Sequence, residues 1–193
     1  MILATSRISH PGHLSYVARL SRYAEAELVL LCGDVGINEE FLTGVSQHTV
    51  LAVSGDEDDI HVIKLAKRYG ILIDGRVVEV SGVKVGGVGA INTALDYSTL
   101  VSGVERIDIL VTHFPPHGCL DAQPPFYIHS GLRSIRQLLE AVKPSVVLVG
   151  HSTKPTVNYC GGIPVVGASS YIVLLDSARP RRVRFIPLDR YLP

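Results

Sequence analysis

Hydrophobic and polar positions along the chain fall into two rhythms that change over once. Short aliphatic runs at residues 1–5, 28–32 (LVLLC), 50–53 (VLAV), 107–111 and 146–149 (VVLV) are too short for helices and rich enough in β-branched residues to read as buried strands. Between them, apolar residues recur at helical spacing. Residues 13–26 place Leu14, Val17, Ala18, Leu20 and Ala24 on roughly one face, and residues 131–142 (GLRSIRQLLEAV) form a clear amphipathic helix stopped by Lys143-Pro144. A short helix over 38–45 with Asn38 as its cap, one from Ile60 to a stop at Gly70, and a weaker one over 94–104 complete the set. Residues 71–90 read as short antiparallel strands (ILI, RVVEV, VKVGGV), and the tail from Pro155 to Ile186 reads as four more (TVNYC, IPVVGA, YIVLLD, RRVRFI). Helix and strand alternating in front, with strands alone behind, predicts two sheets packed face to face with helices outside.

The residues that end the strands carry the chemistry. Gly33-Asp34 follows the second strand, Ser54-Gly55-Asp56 the third, His113 the fourth with Pro115-Pro116 soon after, and Gly150-His151 the fifth. Ligands of open α/β sheets bind outside the carboxyl ends of the strands, and two carboxylates with two imidazoles suit a divalent ion of the manganese, iron or zinc kind. The acids at 56–59 crowd the start of a helix, where its dipole favours them, so Asp56 alone is assigned a ligand role. The glycines at 82, 86, 87 and 89 lack the ordered fingerprint of a dinucleotide site and read as turns and close packing.

Composition narrows the picture further. A chain of 193 residues is expected to be one domain over 1–193, and 18 basic against 18 acidic side chains leave no bulk charge to recruit nucleic acid or an anionic membrane. Three cysteines without paired spacing argue against a disulfide framework and for a reducing compartment, the cytoplasm; Cys119 and Cys160 receive no role. No run approaches the length that spans a bilayer, and the apolar stretch in MILATSRISH is shorter than a signal peptide is expected to need.

Taken together, Gly33-Asp34, Gly55-Asp56-Glu57-Asp58, His113-Phe114-Pro115-Pro116-His117-Gly118 and Gly150-His151-Ser152-Thr153 resemble the motifs of the calcineurin-like metallophosphoesterase superfamily in order and spacing, over residues 1 to about 175. The resemblance implies an α/β/β/α sandwich of two mixed sheets flanked by helices, with a two-metal site above one edge. Asp34, His113 and His151 would hold the second metal, with Asp56 standing where the family has asparagine. The ligands of the first metal are replaced together: Arg7 and Ser9 stand in the S-D-x-H pattern, and Thr153 closes the G-H-x-H. The expectation is one retained cation, or none, with the Arg7 guanidinium occupying or bordering the other position and pairing with Asp34 or a phosphate oxygen. His117 is a candidate proton donor to a leaving group. His10 and His13 lie just beyond Ser9 and could replace the lost ligands, but Pro11-Gly12 turns the chain between them and they are not assigned to the site; His48 and His61 read as solvated and His129 as a loop-packing residue.

Two functions compete: an atypical, one-metal phosphoester hydrolase acting on a phosphorylated small molecule or phosphodiester, and a catalytically silent binding or assembly module on the same fold. The loops over 91–102 and 120–130, which would choose a substrate, carry no recognisable code.

Overall fold

The computed structural model describes residues 1–8, 10–103, 106–123, 125, 128–152, 154–176 and 182–188. Strands β1 (Ile2–Thr5), β2 (Leu28–Cys32) and β3 (Thr49–Val53) run parallel, β12 (Tyr171–Leu175) adds antiparallel to β1 and β13 (Val183–Pro187) antiparallel to β12, giving a five-stranded sheet ordered β13-β12-β1-β2-β3. A six-stranded sheet, β10-β11-β9-β6-β5-β4, is built from β4 (Val77–Val80), β5 (Val83–Val88), β6 (Ile109–Thr112), β9 (Val146–Val149), β10 (Val157–Cys160) and β11 (Ile163–Gly167). Both sheets are mixed.

The alternation of side chains along each strand sorts the core into layers. Ile2, Ala4, Leu28, Leu30, Leu51 and Val173 meet Val85, Ile109, Val111, Val146 and Leu148 between the sheets. Leu3, Val29, Leu31 and Ala52 face the other way, under helices α1 (Pro11–Tyr23), α2 (Glu39–Gly44) and α3 (Ile60–Arg68). Leu110, Val147 and Val165 face α4 (Thr93–Gly103) and α5 (Arg133–Val142), whose Ile135, Leu138, Leu139 and Val142 form one buried stripe. This is the four-layer α/β/β/α sandwich expected from the pattern. Among the described residues no helix is long and apolar enough to cross a membrane.

Local chemistry sets the helix starts. Asn38 Oδ1 accepts the Phe41 N–H at 2.8 Å, and Asp59 accepts from His61 and Val62 at 2.7 and 2.9 Å. α1 begins two residues ahead of the predicted start because Pro11 is tolerated in a first turn and His10 Nδ1 caps it, accepting the Gly12 N–H at 3.0 Å. The segment 71–73, expected as a strand, makes only an isolated bridge, Leu72 to Ala52, followed by one from Asp74 to Gly87. It hands the chain from the edge strand of one sheet to the other, so it cannot ladder fully with either. The loop over 120–130 contains a two-stranded ribbon, β7 (Ala122–Gln123) with β8 (Ile128–His129), which the pattern did not show.

Burial gives one carboxyl an unusual titration. Asp96, in α4, is 6% exposed and accepts the Gly89 N–H at 2.9 Å. Burial, opposed by that hydrogen bond and reinforced by the charge of Asp74, pushes its carboxyl up to about 6. The native chain therefore keeps a proton that the unfolded chain has released, and stability falls as pH rises from the usual carboxylate range through about 6. Asp96→Asn keeps the oxygen acceptor and removes the charge. It is expected to flatten that slope and to raise stability at pH 7.5 by up to about 3 kcal/mol, read from urea unfolding at pH 4.5 and 7.5.

Candidate metal centre

Asp34, Asp56, His113 and His151 each follow a strand, two from each sheet. Each offers a ligand atom, and these atoms lie within 4.8 Å of one another. β6 and β9 are neighbours, and their pairing continues beyond the strands: Gly150 N–H donates to Thr112 O at 3.0 Å and His151 N–H to His113 O at 2.7 Å, holding the two imidazoles side by side with ring centres 5.4 Å apart.

His113 is fully buried, and its Nδ1 donates to the Cys32 carbonyl at 3.0 Å. A carbonyl only accepts, so Nδ1 carries the hydrogen and Nε2 is aimed at the carboxylates, 2.6 Å from Asp56 Oδ1 and 3.6 Å from Asp34 Oδ2. His151 Nδ1 is buried without a hydrogen bond, 3.4 Å from Asp56 Oδ1. An orphaned imidazole nitrogen, a second one fixed in the ligating tautomer and two carboxylates fit a divalent transition metal.

The backbone at Asp34 is itself shaped for the site. Gly33 and Asp34 both lie at positive φ, 83° and 54°, which turns the Asp34 amide out of the sheet. Asp58 Oδ2 accepts that amide at 3.1 Å together with the Gly55 amide at 2.7 Å, and Asp34 Oδ1 accepts the Glu57 N–H at 2.9 Å. Burial raises the Asp34 carboxyl above its ordinary range, against the Glu57 hydrogen bond and His113, which lower it. Asp56 is the reverse: burial pushes it up, but the hydrogen bond and charge of His113 outweigh this and hold it below the usual range.

The acid run at 56–59 is therefore not one helix-dipole feature. Asp59 caps α3, Asp58 clips the two metal-site loops together, and Glu57 makes an ion pair with Arg7. Asp58 was missed in the sequence. Its signal was a Gly-Asp turn whose amide has no strand partner, with an acid close by in the next loop.

Arg7 sits at the end of β1 with φ 53°, its amide donating to Gly33 O at 3.3 Å. Its guanidinium does not pair with Asp34 among the described contacts. Asp34 Oδ1 is taken by the Glu57 amide, and Nη2 of Arg7 lies 3.5 Å from Glu57 Oε1 instead, both side chains being about half exposed. Ser9 and Thr153, the other two replaced positions, lie outside the described residues. His117 is not part of the four-residue cluster. Its Nδ1 is 3.8 Å from the buried carboxylate of Asp121, which also accepts from His129 Nδ1 at 2.8 Å and from the amides of Gly118 and Gly131. Asp121, not singled out in the sequence, is the anchor of this loop.

Cys119 and Cys160 are joined in a disulfide, which corrects the expectation of three free thiols. The two residues are 41 apart in sequence, and they meet because the β6–α5 loop and the end of β10 both tuck beneath α5. Cys32 is free and buried, its thiol pushed up to about 12 by burial. The cysteine argument for a reducing compartment is thereby withdrawn.

The chain matches no protein-family model and no curated protein sequence. Solved structures do match. TT1561 of Thermus thermophilus superimposes with a TM-score of 0.75 at 16% identity over 97% of this chain and 98% of that one. A novel archaeal phosphodiesterase gives 0.53 at 14% over 96% and 98%, and vacuolar protein sorting 29 from Cryptosporidium parvum 0.52 at 16% over 95% of each. The layered sandwich, its two mixed sheets and these superpositions identify the architecture of the chain as the calcineurin-like metallophosphoesterase fold.

Proposed function

We propose that this chain is an atypical phosphoester hydrolase, a single domain over 1–193 working with one divalent cation held by Asp34, Asp56, His113 and His151. The convergence of their four ligand atoms within 4.8 Å carries the reading. When bound, such a cation polarises a phosphoryl oxygen and makes water acidic enough to attack phosphorus near neutral pH. The protein supplies the rest. His113, locked by the Cys32 carbonyl, presents Nε2 in one orientation. Arg7 gives up its exposed pairing with Glu57, a contact worth less than about 1 kcal/mol, and binds a non-bridging phosphate oxygen where the family places its other metal. His117, beside the ionised Asp121, gives a proton to the leaving oxygen. The substrate class is a phosphorylated small molecule or phosphodiester.

Calorimetric titration with manganese, zinc and ferrous ions and hydrolysis of p-nitrophenyl phosphate and its bis ester test this. One equivalent of bound cation and cation-dependent turnover are expected. Arg7→Ala should raise KM about tenfold with an unchanged unfolding midpoint, because the exposed ion pair adds little to stability. The position of Arg7 favours one other reading, a silent module that retains phosphate affinity. Phosphate binding lost in Arg7→Ala, with no turnover under any metal, would establish that reading instead.

A further inference from the structure

The Cys119–Cys160 bridge has a neighbour that a purely structural staple does not need. Nη1 of Arg136, on α5, lies 3.3 Å from Cys160 Sγ and 3.5 Å from Cys119 Sγ, while its Nε is held by Glu140 Oε1 at 3.2 Å. A guanidinium gains little beside a neutral disulfide. It gains a charge-assisted hydrogen bond beside the thiolate that reduction releases. Both cysteines are otherwise buried, 3% and 2% exposed, yet Cys160 also lines a cavity of about 340 Å³ with Arg136, Glu140, Lys143, Gly161 and Gly162.

We infer that Cys119–Cys160 is a thiol–disulfide exchange site for a dithiol reductant that enters through this cavity, with Arg136 holding the released thiolate. A thiolate of the dithiol attacks Cys160 Sγ, forming a mixed disulfide and expelling Cys119 as a thiolate against the guanidinium. The second thiol of the reductant then displaces Cys160. Two electrons pass to the protein, the dithiol leaves as its own disulfide, and its two protons go to the cysteines or to solvent. Cys119 lies in the loop that follows His113, so the exchange frees a covalent tie on that loop.

Dithiothreitol equilibration of the full chain at pH 8, quenched with iodoacetamide and read by intact mass, tests this. Two adducts per chain are expected with the far-UV dichroism unchanged, because Cys32 stays buried and unreactive. At a fixed ratio of reduced to oxidised dithiothreitol, Arg136→Met should hold about tenfold less reduced bridge than the parent, and Arg136→Lys should stay near it. Reduction that proceeds only at the rate of global unfolding, adding three adducts, would overturn the inference. So would equal equilibrium constants for the parent and Arg136→Met. Should Arg136→Met fail to fold, the adduct count and rate of the parent chain decide alone.

Discussion

Asp34→Asn should bind cations at least about 100-fold more weakly while making the metal-free protein more stable. The two effects have opposite signs because one carboxylate plays opposed parts. Toward a cation, Asp34 is a buried anion aimed into the four-residue cluster, and an amide oxygen is a far poorer donor; even changes behind a ligand commonly cost 10- to 100-fold. Without a cation, the same charge is 7% exposed near Asp56 and Asp58, and burial raises its pKa. A raised folded pKa means that stability is full at low pH and drains away as pH rises through it. Asparagine can still accept the Glu57 N–H, so the loop keeps its clip while the charge is gone. Calorimetry with manganese and thermal unfolding in chelator at pH 7.5 measure the two halves. A midpoint that falls in chelator would contradict the account of Asp34 as an unfavourable buried anion.

Gly150→Ala should destabilise the chain by about 3 kcal/mol or more, an unfolding midpoint some 10 °C lower in calorimetry. A Cβ at Gly150 would run into the Cys32 carbonyl oxygen and lie 2.7 Å from Ser6 Oγ. Neither obstacle is a flexible chain end. The Cys32 carbonyl is backbone, and it already accepts from His113 Nδ1 and from Ser6 Oγ at 3.2 Å. Relief therefore requires moving β2 away from β9 where the two sheets approach closely. The same displacement pulls Asp34 from His151, so cation affinity should fall along with stability. The loss should appear as reduced binding enthalpy at temperatures where the variant is still folded.

The strand-end residues were legible because a period of two and a period of 3.6 are properties of local sequence, and a polar residue that ends an aliphatic run is visible without knowing what faces it. That logic placed Asp34, Asp56, His113 and His151 at the carboxyl ends of four strands. Parallel pairing brings them together two by two, β2 with β3 and β6 with β9, and the face-to-face packing of the sheets joins the two pairs. What escaped was set by tertiary geometry. Arg7 meets Glu57, whose own amide binds Asp34, an arrangement no spacing encodes. Cys119 and Cys160 meet under α5 across 41 residues, and the acids at 57–59 divide their roles by directions that depend on the positive φ of Asp34. Residues 71–73 look like a strand, but the amides of Ile71 and Leu72 go to the Ala66 carbonyl at the end of α3 and only that of Ile73 reaches β3, at Ala52.

The four residues proposed as ligands come in pairs from different layers, Asp34 and Asp56 from the sheet of β2 and β3, His113 and His151 from that of β6 and β9. At that rim of the sandwich the Cys32–His113 hydrogen bond already ties one sheet to the other. An ion seated there would act as a rivet through both layers, so prying the sheets apart and ejecting the ion become a single event, and the grip on the ion is also a grip on the fold.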